Sequence, residues 1–295
     1  VSNAIELTNI RFSYNDNMPI LERLNLTLEQ GKVYAILGPN GAGKTTLINI
    51  MLGRLTPTSG HISVLGHNPD SAHCRERVGA MMQLAGLPLH TKVIEFLRLF
   101  SSYHQDPILL AQLISICQLE TCLEQTFDTL SGGQKQRLFM AIALVGNPDI
   151  VFLDEPSAGM DVESRQQLWL SIKRLKQQNK TVLLTTHYLH EAEALADELL
   201  ILKEGQCQKL NDIPEIANNF QRSKIRFSCA QPVAALVDAL PLVDLTVQGS
   251  EFTILTDEPN QILQRLLNQF SICNLHVAPM NLEEAYLASM NIQKA

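Results

Sequence analysis

The sequence is short of several things, and each shortage closes off a class of function. It has no long basic run, and its 23 Lys and Arg are outnumbered by 30 Asp and Glu, a formal charge of −7. A surface of that sign repels phosphate backbones, so no nucleic-acid partner is expected. The six cysteines, Cys74, Cys117, Cys122, Cys207, Cys229 and Cys273, include no C-x-x-C pair. They read as small core residues in a reducing compartment, not as disulfides or zinc ligands. No apolar run approaches the roughly 18–20 residues that a membrane span requires. The opening "VSNAIELTNI" lacks the basic and apolar regions of a signal peptide. The expectation is a cytosolic protein that meets a membrane only through a partner. Internal repeats and low-complexity tracts are also missing. What remains is 295 residues, 45% apolar, enough for one large domain and a small one, or for two modest ones.

Residues 5–13 and 21–29 alternate apolar and polar, as half-exposed strands do. "VYAILG" (33–38) is a continuous apolar run, hence a buried strand, and it ends at a Gly-rich turn followed by a helix. "RVGAMM" (77–82), "IVFLD" (150–154) and "TVLLTT" (181–186) are further buried strands, the last two separated by a polar helix at 162–178. Such alternation predicts an α/β domain with a parallel sheet flanked by helices. Between about 91 and 147 only helical spacing is found, and "LLILKEGQCQKL" reads as a hairpin. The first domain is placed at residues 1–220, with a helical subdomain at about 86–147, and the second at 221–295. The second shows strand, helix, hairpin, helix, strand and a last helix, "LEEAYLASM". That is the order of a small α+β, ferredoxin-like unit.

Three stretches carry chemistry. "GPNGAGKTT" runs through Gly38, Pro39, Asn40, Gly41, Ala42, Gly43, Lys44, Thr45 and Thr46, and matches G-x-x-x-x-G-K-[ST] between a strand and a helix. Its backbone N–H groups suit phosphates, Lys44 the β- and γ-phosphates, Thr45 a Mg²⁺ ion and Thr46 the α-phosphate. "IVFLDEP" delivers Asp154 and Glu155 to the exposed end of a strand. Asp154 fits a Mg²⁺-holding role, and Glu155 fits the orientation or deprotonation of an attacking water. "LSGGQKQR" opens a helix with two glycines behind a capping serine. A Gly pair there is costly unless the backbone must approach something closely, and a helix N-terminus is a seat for an anion.

In this order, with His187 after the next strand, the three stretches resemble the ATP-binding-cassette (ABC) ATPases over residues 5 to about 210. The resemblance implies a P-loop NTPase with a RecA-like sheet core, an N-terminal antiparallel β part and a helical signature subdomain. It implies a head-to-tail homodimer with two shared ATP sites, each built from one subunit's loop and the other's signature helix. Ser131, Gly132, Gly133 and Gln134 would then bind the neighbour's ATP, with Asp161 of "SAGMD" crossing the interface. Gln83 matches the glutamine that reaches Mg²⁺ and the attacking water, although Met82 stands where the family usually has Pro. His187 matches the switch histidine on the γ-phosphate, and Tyr14 the aromatic that stacks on adenine. His190 keeps the reading of a helix-surface residue.

Family membership further implies a separate polytopic transmembrane permease, and a peripheral position on the cytoplasmic face of the membrane through it. A cassette ATPase acting on DNA or ribosomes is the competing reading. The compact segment between Lys44 and Ser131 opposes the first and the single cassette the second. The ending "PMNLEEAYLASM" is similar to the closing motif of ABC-2-type and drug-resistance export ATPases, with Asn281, Glu283, Glu284 and Tyr286 at the variable places. The same stretch also reads as an amphipathic helix packed on its own sheet. The transported compound is not written in this chain.

Overall fold

The computed structural model describes residues 2–14, 19–82, 86–186, 188–210, 223–229, 236, 244–248 and 251–279. The chain divides into two compact units, Val1–Ile213 and Pro214–Ala295. In the first, β1 (Asn3–Phe12) lies between β2 (Leu21–Glu29) and β4 (Ser59–Val64), all antiparallel. The alternation in β1 slips at Ala4 and Ile5, both buried, and again at Asn9, which takes φ 51 where the pairing with β2 shifts register. That bulge returns Ile10 and Phe12 to the buried face beside Ile5 and Leu7. β4 has no counterpart in the sequence reading, because Gly60 and His61 interrupt its apolar pattern.

The second sheet has the order β5-β6-β7-β3-β8-β9, from β3 (Val33–Leu37), β5 (Val78–Met81), β6 (Ile150–Asp154), β7 (Thr181–Thr185), β8 (Glu198–Lys203) and β9 (Gln206–Leu210). All pairs are parallel except the closing β8–β9 hairpin. Every residue of β3, β6 and β7 is buried, which is why these strands read as unbroken apolar runs. Their carboxyl ends lie side by side, the place where open α/β sheets hold ligands. α1 (Lys44–Met51) follows β3, α6 (Val162–Gln177) joins β6 to β7, and α7 (Leu189–Leu195) precedes β8.

α2 (Ala72–Arg77) leads into β5, and α3 (Val93–Ser101), α4 (Leu110–Cys117) and α5 (Gly132–Leu144) form the helical segment. Phe96, Leu97, Leu113 and Leu138 are buried among them, and the mostly buried Arg137 donates to the Gln118 carbonyl at 2.8 Å. No helix among the described residues is long and apolar enough to cross a membrane.

The second unit holds β10 (Ser223–Cys229), β11 (Asp244–Gln248), β12 (Glu251–Thr256), α8 (Pro259–Gln269) and β13 (Ile272–Pro279), with the antiparallel order β11-β12-β10-β13. With β10 and β13 adjacent in the middle and at an edge, this is the ferredoxin-like arrangement. Its core stacks Phe227 on Phe252, ring centroids 5.5 Å apart, over Ile225, Ile254 and Leu266. Of the helix expected at 232–240 only Leu236, helical and buried, is described. The Gly-Ser turn and the closing "LEEAYLASM" segment lie outside the described residues.

β5 is pressed against α5 so closely that a Cβ at Gly79 would lie 2.0 Å from the Ala143 carbonyl oxygen. Backbone cannot yield as a side chain can. Gly79→Ala is therefore expected to cost about 1–3 kcal/mol, read as a lower urea midpoint; an unchanged midpoint would show that this contact does not set the spacing.

Candidate active site

The phosphate loop is shaped by its glycines. Gly43, the N-cap of α1, has φ 100, a left-handed conformation that side chains resist, and a Cβ there would meet Ile20 Cγ2 at 2.9 Å. Lys44 is mostly buried, and its Nζ donates to the carbonyls of Gly38 at 2.7 Å and Pro39 at 3.1 Å. The ammonium is thereby held inside the loop it serves. Above it lies a cleft of about 490 Å³ whose lining includes Tyr14, Asn40, Lys44, Thr45, Thr46 and Glu155. Ile20 also lines it, a residue the sequence offered no sign of. Tyr14 is 60% exposed and sits edge-on to the buried Phe12 at 4.9 Å, with its hydroxyl 3.3 Å from Thr46 Oγ1. Of the two aromatics, only Tyr14 presents its ring at the cleft.

Asp154 and Glu155 end β6 beside β7. Asp154 is 6% exposed, and its two oxygens accept from different hydroxyls, Oδ2 from Thr45 at 3.2 Å and Oδ1 from Thr185 at 2.6 Å. Glu155 has φ 48, and its N–H donates to the same Thr185 hydroxyl at 2.9 Å. A left-handed glutamate costs about 1–2 kcal/mol, and it sits where its side chain reaches the cleft. Thr185 was missed in the sequence. The signal available was the Thr pair closing "TVLLTT", two hydroxyls directly after the apolar run Val182–Leu184.

The signature helix begins with a reciprocal cap: Ser131 Oγ accepts from the Gln134 N–H at 3.2 Å, and Gln134 Oε1 accepts from the Ser131 N–H at 2.8 Å. Its glycines have different causes. A Cβ at Gly133 would meet Ser164 Oγ at 2.4 Å and Ser164 Cβ at 2.6 Å, so α6 occupies that space. A Cβ at Gly132 would find only Gly159 O, at 3.9 Å. Close approach therefore explains Gly133 within the chain and leaves Gly132 open to the outside. This refines the sequence reading, which gave both glycines one cause. Asp161 caps α6, accepting from Ser164 N at 2.8 Å and Ser164 Oγ at 2.9 Å. The backbone N–H and then the hydroxyl of Ser164 lower its pKa below 3.8. Folded-state depression of a carboxylate adds stability that is present above the unfolded value and lost as pH falls through the folded one.

Gln83 and His187 lie outside the described residues. The segment flanking position 187 is anchored by a buried carboxylate: Glu191 accepts from Thr186 Oγ1 at 2.5 Å and from Trp169 Nε1 at 3.0 Å. Arg165 lies over the Tyr188 ring at 5.2 Å and has Nη1 3.3 Å from the exposed His190. Glu191, like Thr185, was not foreseen. Its helical position gives no sign that it is interior.

A family model described as ABC transporter matches residues 21–158. Nod factor export ATP-binding protein I of Burkholderia thailandensis is 32% identical over 300 residues, covering 96% of this chain and 95% of the relative. The chain belongs to the ABC transporter family, as an ATP-binding subunit. Two solved ABC structures share its fold at 25% identity over 74% of the chain. An ATP-binding subunit of an ABC transporter has a TM-score of 0.64 over 93% of its length. A part of the cbiONQ ABC transporter complex from Clostridium perfringens has a TM-score of 0.63 over 91%. This ABC ATPase binds ATP and hydrolyses it, and the cleft over Lys44 has the character such a site needs. The backbone amides at the start of α1 and a fixed ammonium provide positive potential there.

The two signature glycines should separate in stability. Gly133→Ala should lose about 1–3 kcal/mol from the clash with Ser164, whereas Gly132→Ala, which meets nothing and gains helix propensity, should stay within about 0.5 kcal/mol. Chemical denaturation of both variants checks this, and equal losses would refute the division.

Proposed function

We propose that this ATPase powers an exporter: two copies close head to tail around two ATP molecules and drive a separate polytopic permease from the cytoplasmic face of the membrane. The observation that carries this reading is an incomplete cleft. Its lining contains the loop and Glu155 but no residue of α5, while the α5 N-terminus is exposed at Ser131 and Gly132, where a Cβ on Gly132 would meet only the Gly159 carbonyl oxygen, at 3.9 Å. One subunit offers a nucleotide an open side, and offers an anion seat that its own nucleotide does not use. A second copy, reversed, satisfies both.

Within the closed pair, Lys44 neutralises the β- and γ-phosphates, and Tyr14 stacks on the adenine. From across the interface comes Ser131, whose capping bond uses its oxygen as acceptor and leaves the hydroxyl proton to donate to a γ-phosphate oxygen. The N–H groups of Gly132 and Gly133 add the positive end of the helix. Gln134 fixes the cap and Asp161 holds the start of α6 at that interface. Closure expels water, so each of these contacts strengthens. Glu155 orients and deprotonates the attacking water, with His187 and Gln83 completing the set around the γ-phosphate. Thr45, Asp154 and Gln83 suit Mg²⁺: hydroxyl, carboxylate and amide oxygens are the hard donors it prefers, and the first two already meet at 3.2 Å. Bound there, Mg²⁺ supplies charge neutralisation across the β- and γ-phosphates.

Export is favoured by the 32% identity, along nearly the whole chain, to an ATP-binding protein named for Nod factor export. The compound this chain's own permease carries is a separate matter, since substrate contacts belong to the transmembrane subunit. The exposed Leu89, Leu99, Tyr103 and Leu109 on and around the helical segment are apolar side chains suited to meeting the permease.

Glu155→Gln should bind ATP within about threefold of the parent, lose turnover by at least about a hundredfold, and elute as an ATP-bound dimer in size-exclusion chromatography. Undiminished hydrolysis by that variant ends the assignment of Glu155. For the parent protein, turnover per subunit should rise with concentration in step with dimer fraction. A rate independent of concentration in demonstrably monomeric protein would rule out shared sites.

A further inference from the structure

The proposed roles of Asp154 and Glu155 leave open what holds the two carboxylates in place. Both carry part of the answer to the same atom. Parallel pairing of β6 with β7 sets Asp154 opposite Thr185, and the Thr185 hydroxyl is fully buried between them. A hydroxyl has one proton and two lone pairs. The proton goes to Asp154 Oδ1 at 2.6 Å, and a lone pair receives the Glu155 N–H at 2.9 Å.

We infer that Thr185 is a positioning residue for hydrolysis, its hydroxyl fixing the Asp154 carboxylate and the left-handed backbone of Glu155 together. This rests on the reading of Asp154 as metal holder and Glu155 as base.

Two considerations support it. Asp154 is gripped on Oδ2 by Thr45 at 3.2 Å, the hydroxyl assigned to Mg²⁺. The grip that persists while Thr45 serves the metal is therefore the one on Oδ1. Glu155, meanwhile, sits at φ 48 between two pins, its N–H on Thr185 and its carbonyl accepting from Ala158 N at 3.1 Å. Removing the first pin lets the residue relax toward right-handed or extended backbone, which redirects its side chain away from the cleft. A buried hydroxyl following Val182, Leu183 and Leu184 is also costly unless its donor and acceptor capacities are both used. Here both are.

Thr185→Val keeps the size and the branched β-carbon while removing both bonds, and Thr185→Ser keeps the hydroxyl. Asp154→Asn runs alongside to test the reading beneath. Thr185→Val is expected to bind ATP in EDTA as the parent does, because the loop and Lys44 are untouched. With ATP bound, its affinity for Mn²⁺, used in place of Mg²⁺ and read by electron paramagnetic resonance, should fall about tenfold. Its kcat should fall about ten- to a hundredfold, the worth of a hydrogen bond to a charged group, with KM within about threefold. Thr185→Ser should recover most of both losses. If Thr185→Val does not fold, Thr185→Ala is read in the same way.

Parent-like Mn²⁺ affinity and kcat in Thr185→Val, beside an inactive Asp154→Asn, overturn the role of Thr185 and leave the metal reading standing. A Ser variant as impaired as the Val variant also overturns it, because the hydroxyl is then not the agent. Full Mn²⁺ affinity and turnover in Asp154→Asn remove the reading beneath, and the inference with it.

Discussion

Three buried strands ending side by side, β6, β7 and β3, are the constraint on which the chemistry depends. Because every residue of the three is interior, none can slide or rotate without exposing apolar surface and breaking ladder bonds on both sides. Whatever hangs from their carboxyl ends is therefore held in fixed relation. The loop leaves β3, Asp154 closes β6, and Thr185 closes β7. A threonine–aspartate–threonine chain of hydrogen bonds then ties all three ends together. Rigidity on this scale suits phosphoryl transfer, which asks a protein for placement and charge more than for covalent chemistry.

Against that rigid end stands a deliberately open one. The α5 N-terminus is built with care, through a reciprocal Ser131–Gln134 cap, and is held at close distance to α6 through Gly133 and Ser164. Ser164 also supplies both donors to Asp161. One serine thus ties the start of the signature helix to the start of α6, so these two surfaces are presented together. On the proposed head-to-tail reading, a partner's ATP would meet both surfaces in one geometry, and burial of its γ-phosphate is what pairing would contribute.

Much of the fold was legible because its signals are short-range. The buried strands announce themselves as apolar runs, the antiparallel pair by alternation, and the helical segment by spacing. β4 was not legible, since Gly60 and His61 break its pattern and its place is set by pairing with β1. The register slip at Asn9 was hidden for a similar reason: a bulge is a relation between two strands, and one strand read alone does not show it.

The same division runs through the site. Residues 38–46 specify a phosphate loop by themselves, because consecutive residues decide whether a turn can form, whether its amides converge and whether a helix follows. Asp154, Glu155 and Ser131 were recognisable from their immediate neighbours in the same way. Tertiary structure alone decided that Gly133 is small for the sake of Ser164 and that Glu191 is interior. It also decided that Thr185 joins the Asp154 carboxylate to the Glu155 backbone N–H. Each of these three is a contact whose meaning depends on a partner brought near by packing from more than twenty positions away. Local sequence encodes the groups that do chemistry; the distances between them exist only once the strands are stacked.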